Sequence, residues 1–204
     1  MDYEVISSGS KGNSVLINDV LVDCGISFNK LKEHLYDVRY LLLTHVHTDH
    51  IKPSTYKKIR QQFPHIETIG NYDVAQLFDV DYIINAGFEL ETEDYIFHAF
   101  ECVHDVPTYG FYWDYEEHKI IYATDTSSME NAPHDIKFDY LFIESNHDEK
   151  KLELVADRAN EFGYNPYLSG KRHLSTKASR EYYFMNRNGK EAEHIELHKS
   201  SRFY

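Results

Sequence analysis

The sequence has very few cysteines. Only Cys24 and Cys102 occur among its 204 residues. Two cysteines cannot form the disulfide framework of a small stapled domain, and they are too few for a cysteine-rich zinc site. We therefore expect the reducing environment of the cytoplasm.

A long hydrophobic run is also missing. No apolar stretch approaches the roughly 20 residues that cross a bilayer, and the opening residues MDYEVISSGS lack the layout of a signal peptide. We therefore expect no membrane partner. Repeats, low-complexity tracts and linkers do not stand out either. The sequence predicts one domain over residues 1–204, long enough to bury a sizeable core.

Basic residues are outnumbered by acidic ones. The chain has 21 Lys and Arg against 34 Asp and Glu, which gives a net charge of −13. Such a charge repels polyanions, and only short basic runs such as Lys57–Arg60 and Lys171–Arg172 interrupt it. The composition therefore disfavours a dedicated non-specific nucleic-acid binder. It disfavours a small phosphorylated substrate less, because bound metal would make a site locally cationic.

Short apolar or alternating runs, separated by turn residues, predict a chain rich in strands. The predicted strands are Tyr3–Ser7, Ser14–Ile17, Val20–Val22, Tyr40–Leu43, Tyr95–Phe100, Gly110–Trp113, Ile120–Ala123, Tyr140–Ile143 and one within EHIELHKS near the end. Helical patterns cover Phe28–Leu35, Pro53–Gln62, Lys150–Phe162 and Thr176–Asn186. Many strands with interspersed helices indicate a two-layer or four-layer α/β sandwich, and periodicity alone leaves the topology open.

One segment, LLLTHVHTDHIKP at residues 41–53, concentrates potential metal ligands. His45, His47, Asp49 and His50 follow directly after an apolar predicted strand. Imidazoles two residues apart in an extended turn can converge on one ion, and the adjacent carboxylate and imidazole can face a second. Imidazole and carboxylate without thiolate suit zinc, with manganese or iron as substitutes. A solvated histidine-rich loop is the alternative, but four ligand-type residues within six favour a metal site.

The spacing His-x-His-x-Asp-His resembles the hallmark of the metallo-β-lactamase-fold hydrolases, and the resemblance runs along nearly the whole chain. SSGSKGNS is similar to the first hairpin of that family, and LVDCG is similar to the segment with its buried aspartate. KRHLSTKAS and LHKSSRFY resemble motifs of ribonuclease Z, whereas IESNHD resembles a small bacterial exonuclease-like branch. The resemblance implies an αββα four-layer sandwich.

The resemblance also implies two divalent metal ions, zinc in the first place and manganese as the substitute. The first ion is expected to bind His45, His47, His104 and Asp125, and the second is expected to bind Asp49, His50, Asp125 and His198. Asp125 would bridge the two ions, whose combined charge would activate a water as the nucleophile.

Three of the proposed ligands lie far from the histidine motif in the sequence, and each has an alternative interpretation. His104 follows a predicted strand, but it could be a surface histidine beside Asp105. Asp125 could cap the turn TDTSS. His194 competes with His198 for the last ligand position; we prefer His198 because it lies at the end of the predicted strand and not within it.

Other residues are expected to act on the substrate or to support the ligands. By resemblance His173 donates a proton to the leaving group, a role that suits imidazole, although it could also be part of a basic patch. Asp49 is expected to contribute to catalysis as well as to metal binding. Asp23 is expected to support the ligands by accepting a hydrogen bond from a ligand histidine or a loop amide. Glu144, which is grouped with Asn146 and His147, is the other expected supporting residue. The residues expected to bind phosphate are Lys171, Arg172 and Arg202.

These motifs predict a dinuclear metal-dependent phosphodiesterase or nuclease. Its substrate would be a nucleic-acid end or a small nucleotide, for example a cyclic one, and the acidic charge is easier to reconcile with the small nucleotide. A thioester or lactone hydrolase of the same fold is one alternative, and a non-catalytic metal-binding module is another. A homodimer is expected by analogy with the family alone.

Overall fold

The computed structural model describes residues 1–156 and 165–204. Contacts along the chain divide it into two compact units, Met1–Asn85 and Ala86–Tyr204. The expectation of one domain over residues 1–204 stays a prediction. Within the described ranges, no helix has the length and apolar composition needed to cross a membrane.

The first unit is built on a mixed sheet of six strands, in the order β1-β2-β3-β4-β5-β6. The strands are β1 (Tyr3–Ser7), β2 (Ser14–Ile17), β3 (Val20–Val22), β4 (Tyr40–Leu43), β5 (Glu67–Gly70) and β6 (Tyr82–Ile83). The first three pair antiparallel, and β3 to β6 pair parallel. The helices are α1 (Phe28–Leu31), which continues as a 3₁₀ turn at Lys32–His34, α2 (Pro53–Gln62) and α3 (Tyr72–Leu77).

Burial explains why these elements form. The strands β3 and β4 are buried along their whole length, as expected for parallel strands that read as continuous apolar runs. Pro53 occupies the first turn of α2, where its missing N–H costs nothing. The predicted helix Phe28–Leu35 ends early, because the chain tightens into a 3₁₀ turn in which the amide of Leu35 bonds to the carbonyl of Lys32.

The second unit also contains a six-stranded mixed sheet, in the order β12-β11-β10-β9-β8-β7. The strands are β7 (Glu89–Glu91), β8 (Ile96–Cys102), β9 (Thr108–Tyr115), β10 (His118–Ala123), β11 (Tyr140–Glu144) and β12 (Glu193–Leu197). The strands β7 to β10 pair antiparallel, and β10 to β12 pair parallel. The described helices are α4 (Glu149–Glu153), α5 (Pro166–Gly170) and α6 (Thr176–Asn186). Part of the predicted helix Lys150–Phe162 falls on 157–164, outside the described residues.

Parallel pairing places the polar residues of each unit at a sheet edge. Asp125, Glu144 and His198 lie at or just beyond the carboxyl ends of β10, β11 and β12, which run parallel and in register. In the first unit, Asp23 and His45 follow β3 and β4 in the same way. Because carboxyl ends of parallel neighbours meet at one edge, residues far apart in the sequence come together there.

Candidate metal centre

In the first unit, a buried carboxylate holds the histidine loop that follows β4. Asp23 is fully buried, and its carboxylate accepts hydrogen bonds from the Thr44 backbone N–H at 2.9 Å and the Thr44 hydroxyl at 2.9 Å. Nδ1 of His50 lies 2.6 Å from Oδ2 of the same carboxylate. Burial raises the pKa of Asp23, and the neighbouring His50 opposes that rise. The contact fixes the ring of His50 and turns its Nε2 atom away from Asp23.

The other two histidines of the loop lie beside His50. Nε2 of His45 is 3.0 Å from Nδ1 of His47, and the rings of His45 and His50 have centroids 4.1 Å apart. Nδ1 of His45 contacts the Thr44 hydroxyl at 3.0 Å. His45 and His50 are buried, whereas His47 and Asp49 are half-buried. The loop therefore places three imidazoles beside one another, whereas the Asp49 carboxylate joins none of the candidate metal-binding groups found among the described residues.

Two glycines allow three loops of this unit to pack tightly around His50. A Cβ atom at Gly25 would lie 1.7 Å from the carbonyl oxygen of Asp49. Gly12 has a φ of +128°, and a Cβ atom there would lie 2.7 Å from the carbonyl oxygen of Gly25. Gly12 of SSGSKGNS and Gly25 of LVDCG thus permit a close backbone approach that a residue with a side chain would prevent.

In the second unit, one carboxylate oxygen holds two histidines. Glu144 is fully buried at the end of β11, and its Oε1 atom lies 2.7 Å from Nδ1 of both His173 and His198. Its Oε2 atom accepts a hydrogen bond from the Thr126 backbone N–H at 2.8 Å. A carboxylate that accepts a hydrogen bond from the Nδ1–H of an imidazole leaves Nε2 available to a metal or a substrate.

Asp125 completes this group. It is 3% exposed and has a φ of +49°, and its Oδ1 atom lies 3.3 Å from Nδ1 of His173 and of His198. Asp125, Glu144, His173 and His198 each offer a ligand atom within 4.8 Å of the others. The structure thus places His173 beside the expected ligands Asp125 and His198, although the sequence assigns it a role outside metal binding.

The carboxylates and imidazoles of this group shift the pKa values of one another in favour of their charged forms. Burial alone would lower the pKa of His173, but its hydrogen bonds to Asp125 and Glu144 outweigh that effect and raise it to about 10. Burial alone would raise the pKa of Glu144, but His173 and His198 lower it. Glu144 is therefore held as a carboxylate between two imidazoles.

Asn146 holds the backbone of His198. This histidine has a φ of +51°, in the left-handed region that few side chains adopt. The side-chain amide of Asn146 donates to the carbonyl oxygen of His198 at 2.7 Å, and the carbonyl of Asn146 accepts from the Ser200 backbone N–H at 2.8 Å. The competitor His194 instead contacts the Ser179 hydroxyl at 3.0 Å, outside the group around Glu144.

Three of the remaining predicted residues, Lys171, Arg172 and His104, lie near His173 in the chain or in space. Lys171 and Arg172 are exposed immediately before it. Arg172 contacts Asp105 at 3.5 Å, and Nε2 of His104 lies 3.1 Å from the same aspartate. The ring centroids of His104 and His173 are 6.1 Å apart. Arg202 is exposed in the turn that follows β12.

Sequence reasoning missed two residues that touch the histidine loop. Thr44 bonds to Asp23 and contacts two imidazoles, and Asn13 contacts His50. Both are buried and polar. Their position next to recognisable motifs was a signal, because Thr44 precedes the histidine motif and Asn13 ends SSGSKGN.

The donor chemistry of each unit fits a metal ion. Imidazole nitrogens and carboxylate oxygens converge in the second unit, imidazoles lie beside one another in the first, and in each an internal carboxylate orients a histidine through Nδ1. Zinc and manganese are commonly bound by such donors. The described residues therefore include histidine and carboxylate groups that could bind metal.

Comparisons with known proteins place the fold. No protein-family model matches the sequence, and no curated protein matches it. Among solved structures, YhfI from Bacillus subtilis, a metallo-β-lactamase fold protein, is similar with a TM-score of 0.67 and 18% identity over 97% of this chain and 85% of its own. The short form of human tRNase Z (ELAC1) has a TM-score of 0.68 and 18% identity, over 99% of this chain and 94% of its own.

A third similar structure is a diphosphatase from the PhnP family. Its TM-score is 0.67 and its identity 16%, over 98% of this chain and 87% of its own. The two mixed sheets and their helices define an α/β protein. Its architecture is the metallo-β-lactamase fold, so the predicted fold class is confirmed.

Proposed function

We propose that the protein is a dinuclear metal-dependent phosphodiesterase that acts on a nucleic-acid end or on a small nucleotide, including a cyclic one. The observation that carries the proposal is the pairing of Glu144 with both His173 and His198, which prepares one imidazole for a metal and one for a proton. Two similar folds, a tRNase Z and a PhnP-family diphosphatase, support the choice of substrate class.

Two divalent ions, zinc or in its place manganese, would be held by histidines and aspartates. Such ions lower the pKa of a bound water and stabilise the charge that develops on a phosphoryl group. Asp49 would take part in catalysis as well as in binding. The proposed ligands are His45, His47, Asp49, His50, His104, Asp125 and His198.

Beside these ligands, His173 would supply the proton that the leaving oxygen needs. Its Nδ1 atom faces Glu144 at 2.7 Å, so its Nε2–H is the group that can donate outward. General acids of this kind contribute roughly 10²–10⁴-fold to rate. His173 is half-buried, which leaves it accessible to a substrate oxygen while the carboxylate fixes its orientation.

Three cations are proposed to bind the phosphate. Lys171 and Arg172 are exposed directly before His173, and Arg202 follows His198 by four residues. The net charge of −13 disfavours a long duplex lying across the surface, so a strand end or a mononucleotide is the better substrate. Arg is suited to this role because its planar donors match phosphate oxygens.

A substrate panel with metal analysis tests the proposal. Cyclic nucleotides, single-stranded DNA and RNA, bis-p-nitrophenyl phosphate and a glutathione thioester should be offered with zinc and with manganese. We expect about two metal ions per chain and faster turnover of a phosphodiester than of the thioester. Asp125→Ala should abolish activity and reduce metal content together, since one residue would serve both ions. A preparation without metal, or faster turnover of the thioester than of every phosphodiester, contradicts the proposal.

Light scattering on the same sample tests the expected homodimer.

A further inference from the structure

Asn13 reaches a ring nitrogen of His50. It is 1% exposed and lies at the end of the loop that joins β1 to β2. Its Oδ1 atom accepts a hydrogen bond from the Gly9 backbone N–H at 2.7 Å. Its Nδ2 atom lies 2.8 Å from Nε2 of His50. Nε2 is the nitrogen that points away from Asp23 and that a metal ion would use.

The hydrogen-bond partners fix which atoms donate and which accept. A backbone N–H can only donate, so the side-chain atom of Asn13 that faces Gly9 is the oxygen, and the other is the amide nitrogen. That nitrogen can also only donate, so Nε2 of His50 must accept. The proton of the neutral imidazole then lies on Nδ1, which agrees with the 2.6 Å contact between Nδ1 and Asp23.

A ring nitrogen has one lone pair in the plane of the ring. A metal ligand and a hydrogen-bond acceptor both use that lone pair, so Nε2 of His50 cannot serve Asn13 and a metal at once. We infer that Asn13 competes with the metal ion for His50 and lowers the affinity of the ion that His50 binds. The inference rests on the proposed function, because it requires His50 to be a ligand.

The orientation of His50 does not depend on Asn13. Its Nδ1 atom is held by Asp23 at 2.6 Å and lies 3.2 Å from the Thr44 hydroxyl, and its side chain is fully buried. Removing the Asn13 amide therefore removes a competitor without releasing the ring. A residue that merely positioned His50 would have the opposite effect, because its loss would weaken metal binding.

The amide has other acceptors when it turns away. Nδ2 of Asn13 lies 3.2 Å from the carbonyl oxygen of Gly9 and 3.4 Å from that of Asp49. Both carbonyls are close enough to take its N–H groups after a small rotation. Metal binding at His50 thus costs the protein at most about one neutral hydrogen bond, because these carbonyls offset part of the loss, and Asn13 tunes the affinity without blocking the site.

Zinc titration of the metal-free chain of 204 residues tests the competition. Asn13→Ala should bind the His50-dependent ion tighter, on the order of 3- to 10-fold, the equilibrium effect of one neutral hydrogen bond. Ser7→Ala is the matched control, because the Ser7 hydroxyl bonds to the Gly12 carbonyl at 2.6 Å in the same loop and makes no contact with His50 among those described. Its zinc affinity should equal that of the unmodified chain.

Nuclear magnetic resonance of the unmodified chain gives a second test, in which Asn13 itself is not replaced. The side-chain NH₂ signals of Asn13 should shift when zinc is added, at the stoichiometry of the ion that His50→Ala loses. If the Asn13 signals do not change while that ion binds, Asn13 does not compete with zinc for His50.

His50→Ala separates this inference from the function on which it rests. If His50→Ala keeps both ions, His50 is no ligand and the proposed dinuclear site fails. If His50→Ala loses one ion while Asn13→Ala binds zinc no tighter than Ser7→Ala, only the role of Asn13 is overturned.

Discussion

Nδ1 of His198 lies 2.7 Å from Oε1 of Glu144, and both side chains are buried. The same oxygen is equally close to Nδ1 of His173. A single carboxylate therefore sets the orientation of two imidazoles with different proposed tasks. It follows that a change at Glu144 should alter both metal binding and proton transfer, whereas a change at either histidine should alter one of them.

Replacing the carboxylate by an amide tests this coupling. Glu144→Gln preserves the shape of the side chain but removes its negative charge and one of its two acceptor oxygens. If the amide oxygen faces the two Nδ1–H groups, the NH₂ group meets the Thr126 backbone N–H, which is also a donor, so the side chain can no longer satisfy all its partners. We expect roughly 10–100-fold weaker zinc binding, as for other carboxylates that orient ligand histidines. Zinc competition against a chelator measures this loss. Glu101→Gln is the control, because Glu101 is exposed on β8. Unchanged zinc affinity in Glu144→Gln would show that His198 does not need this carboxylate.

His173→Ala separates the proton donor from the ligands. If His173 donates a proton, the variant should keep normal metal content and lose turnover by roughly 10²–10⁴-fold. The loss should shrink for bis-p-nitrophenyl phosphate, whose leaving group needs little protonation. His198→Ala should instead lose an ion and slow all substrates alike.

The control for these histidine variants is His65→Ala, since His65 is exposed in the first unit. Its metal content and activity should match those of the unmodified chain. His173 could instead be a metal ligand, because its Nδ1 atom lies 3.3 Å from the Asp125 carboxylate. Loss of metal in His173→Ala, with two ions retained in His198→Ala, would show that the roles of these histidines are exchanged.

Much of the fold was predictable where a signal is local. The structure reproduces the predicted bounds of β1 to β4, α2 and α6. Mostly buried apolar runs mark β2 to β4, and Pro53 or Ser175 marks a helix start. The strand β1 is exposed or half-buried, but its Tyr, Val and Ile residues favour a strand. The strand β6 was missed since it has only two residues, Tyr82 and Ile83, and both are exposed. Such a strand exists only because β5 offers it an edge.

For the candidate site as well, residues with a local sequence signal could be predicted and contacts between distant loops could not. The contiguous histidine motif and the strand-end residues could be picked out by their spacing and position. The contacts of Asn13 with His50 and of Asn146 with His198 could not, because loops that are distant in the sequence create them. Loop packing has no periodicity from which these contacts could be predicted.

The ion pair of Asp81 with Arg60 should make stability depend on pH. The Asp81 carboxylate accepts from both terminal guanidinium nitrogens of Arg60, at 2.6 and 2.8 Å, and from the Thr68 backbone N–H at 2.8 Å. Burial raises the pKa of Asp81, but these hydrogen bonds outweigh it and the pKa is lowered. The folded state therefore favours the ionised form, and this stabilisation is lost as pH falls through the lowered pKa.

Urea unfolding of Asp81→Asn against the unmodified chain measures that contribution. At neutral pH we expect a loss of about 1–2 kcal/mol, reduced by partial solvent exposure of the pair. The difference should begin to narrow as pH falls towards about 4, where the carboxylate becomes protonated in the unfolded state, and should vanish only below the lowered pKa of the folded state. Asp114→Asn is the control: the pair of Asp114 with Lys119 is largely exposed and should contribute little at any pH. A difference that does not vary with pH would exclude ionisation of Asp81 as its cause.

Gly25 should be required for the packing of the histidine loop. It has no positive φ, so backbone conformation alone would accept alanine. A Cβ atom would nevertheless lie 1.7 Å from the Asp49 carbonyl oxygen and 2.9 Å from the His50 backbone nitrogen. Since the obstacle is backbone, the loop that carries both proposed ligands must shift. Gly25→Ala should therefore cost about 2–3 kcal/mol of unfolding free energy and weaken zinc binding as well.

Gly87→Ala provides the contrast. Gly87 has a φ of +82°, but a Cβ atom there would meet nothing within 4 Å. Its replacement should cost only the backbone strain, about 1–2 kcal/mol, with zinc affinity unchanged. Urea unfolding and zinc titration of both variants distinguish the two causes. If Gly25→Ala binds zinc as tightly as Gly87→Ala does, then His50 and Asp49 tolerate displacement of their loop, and close packing against Gly25 is not what holds the ligands in place.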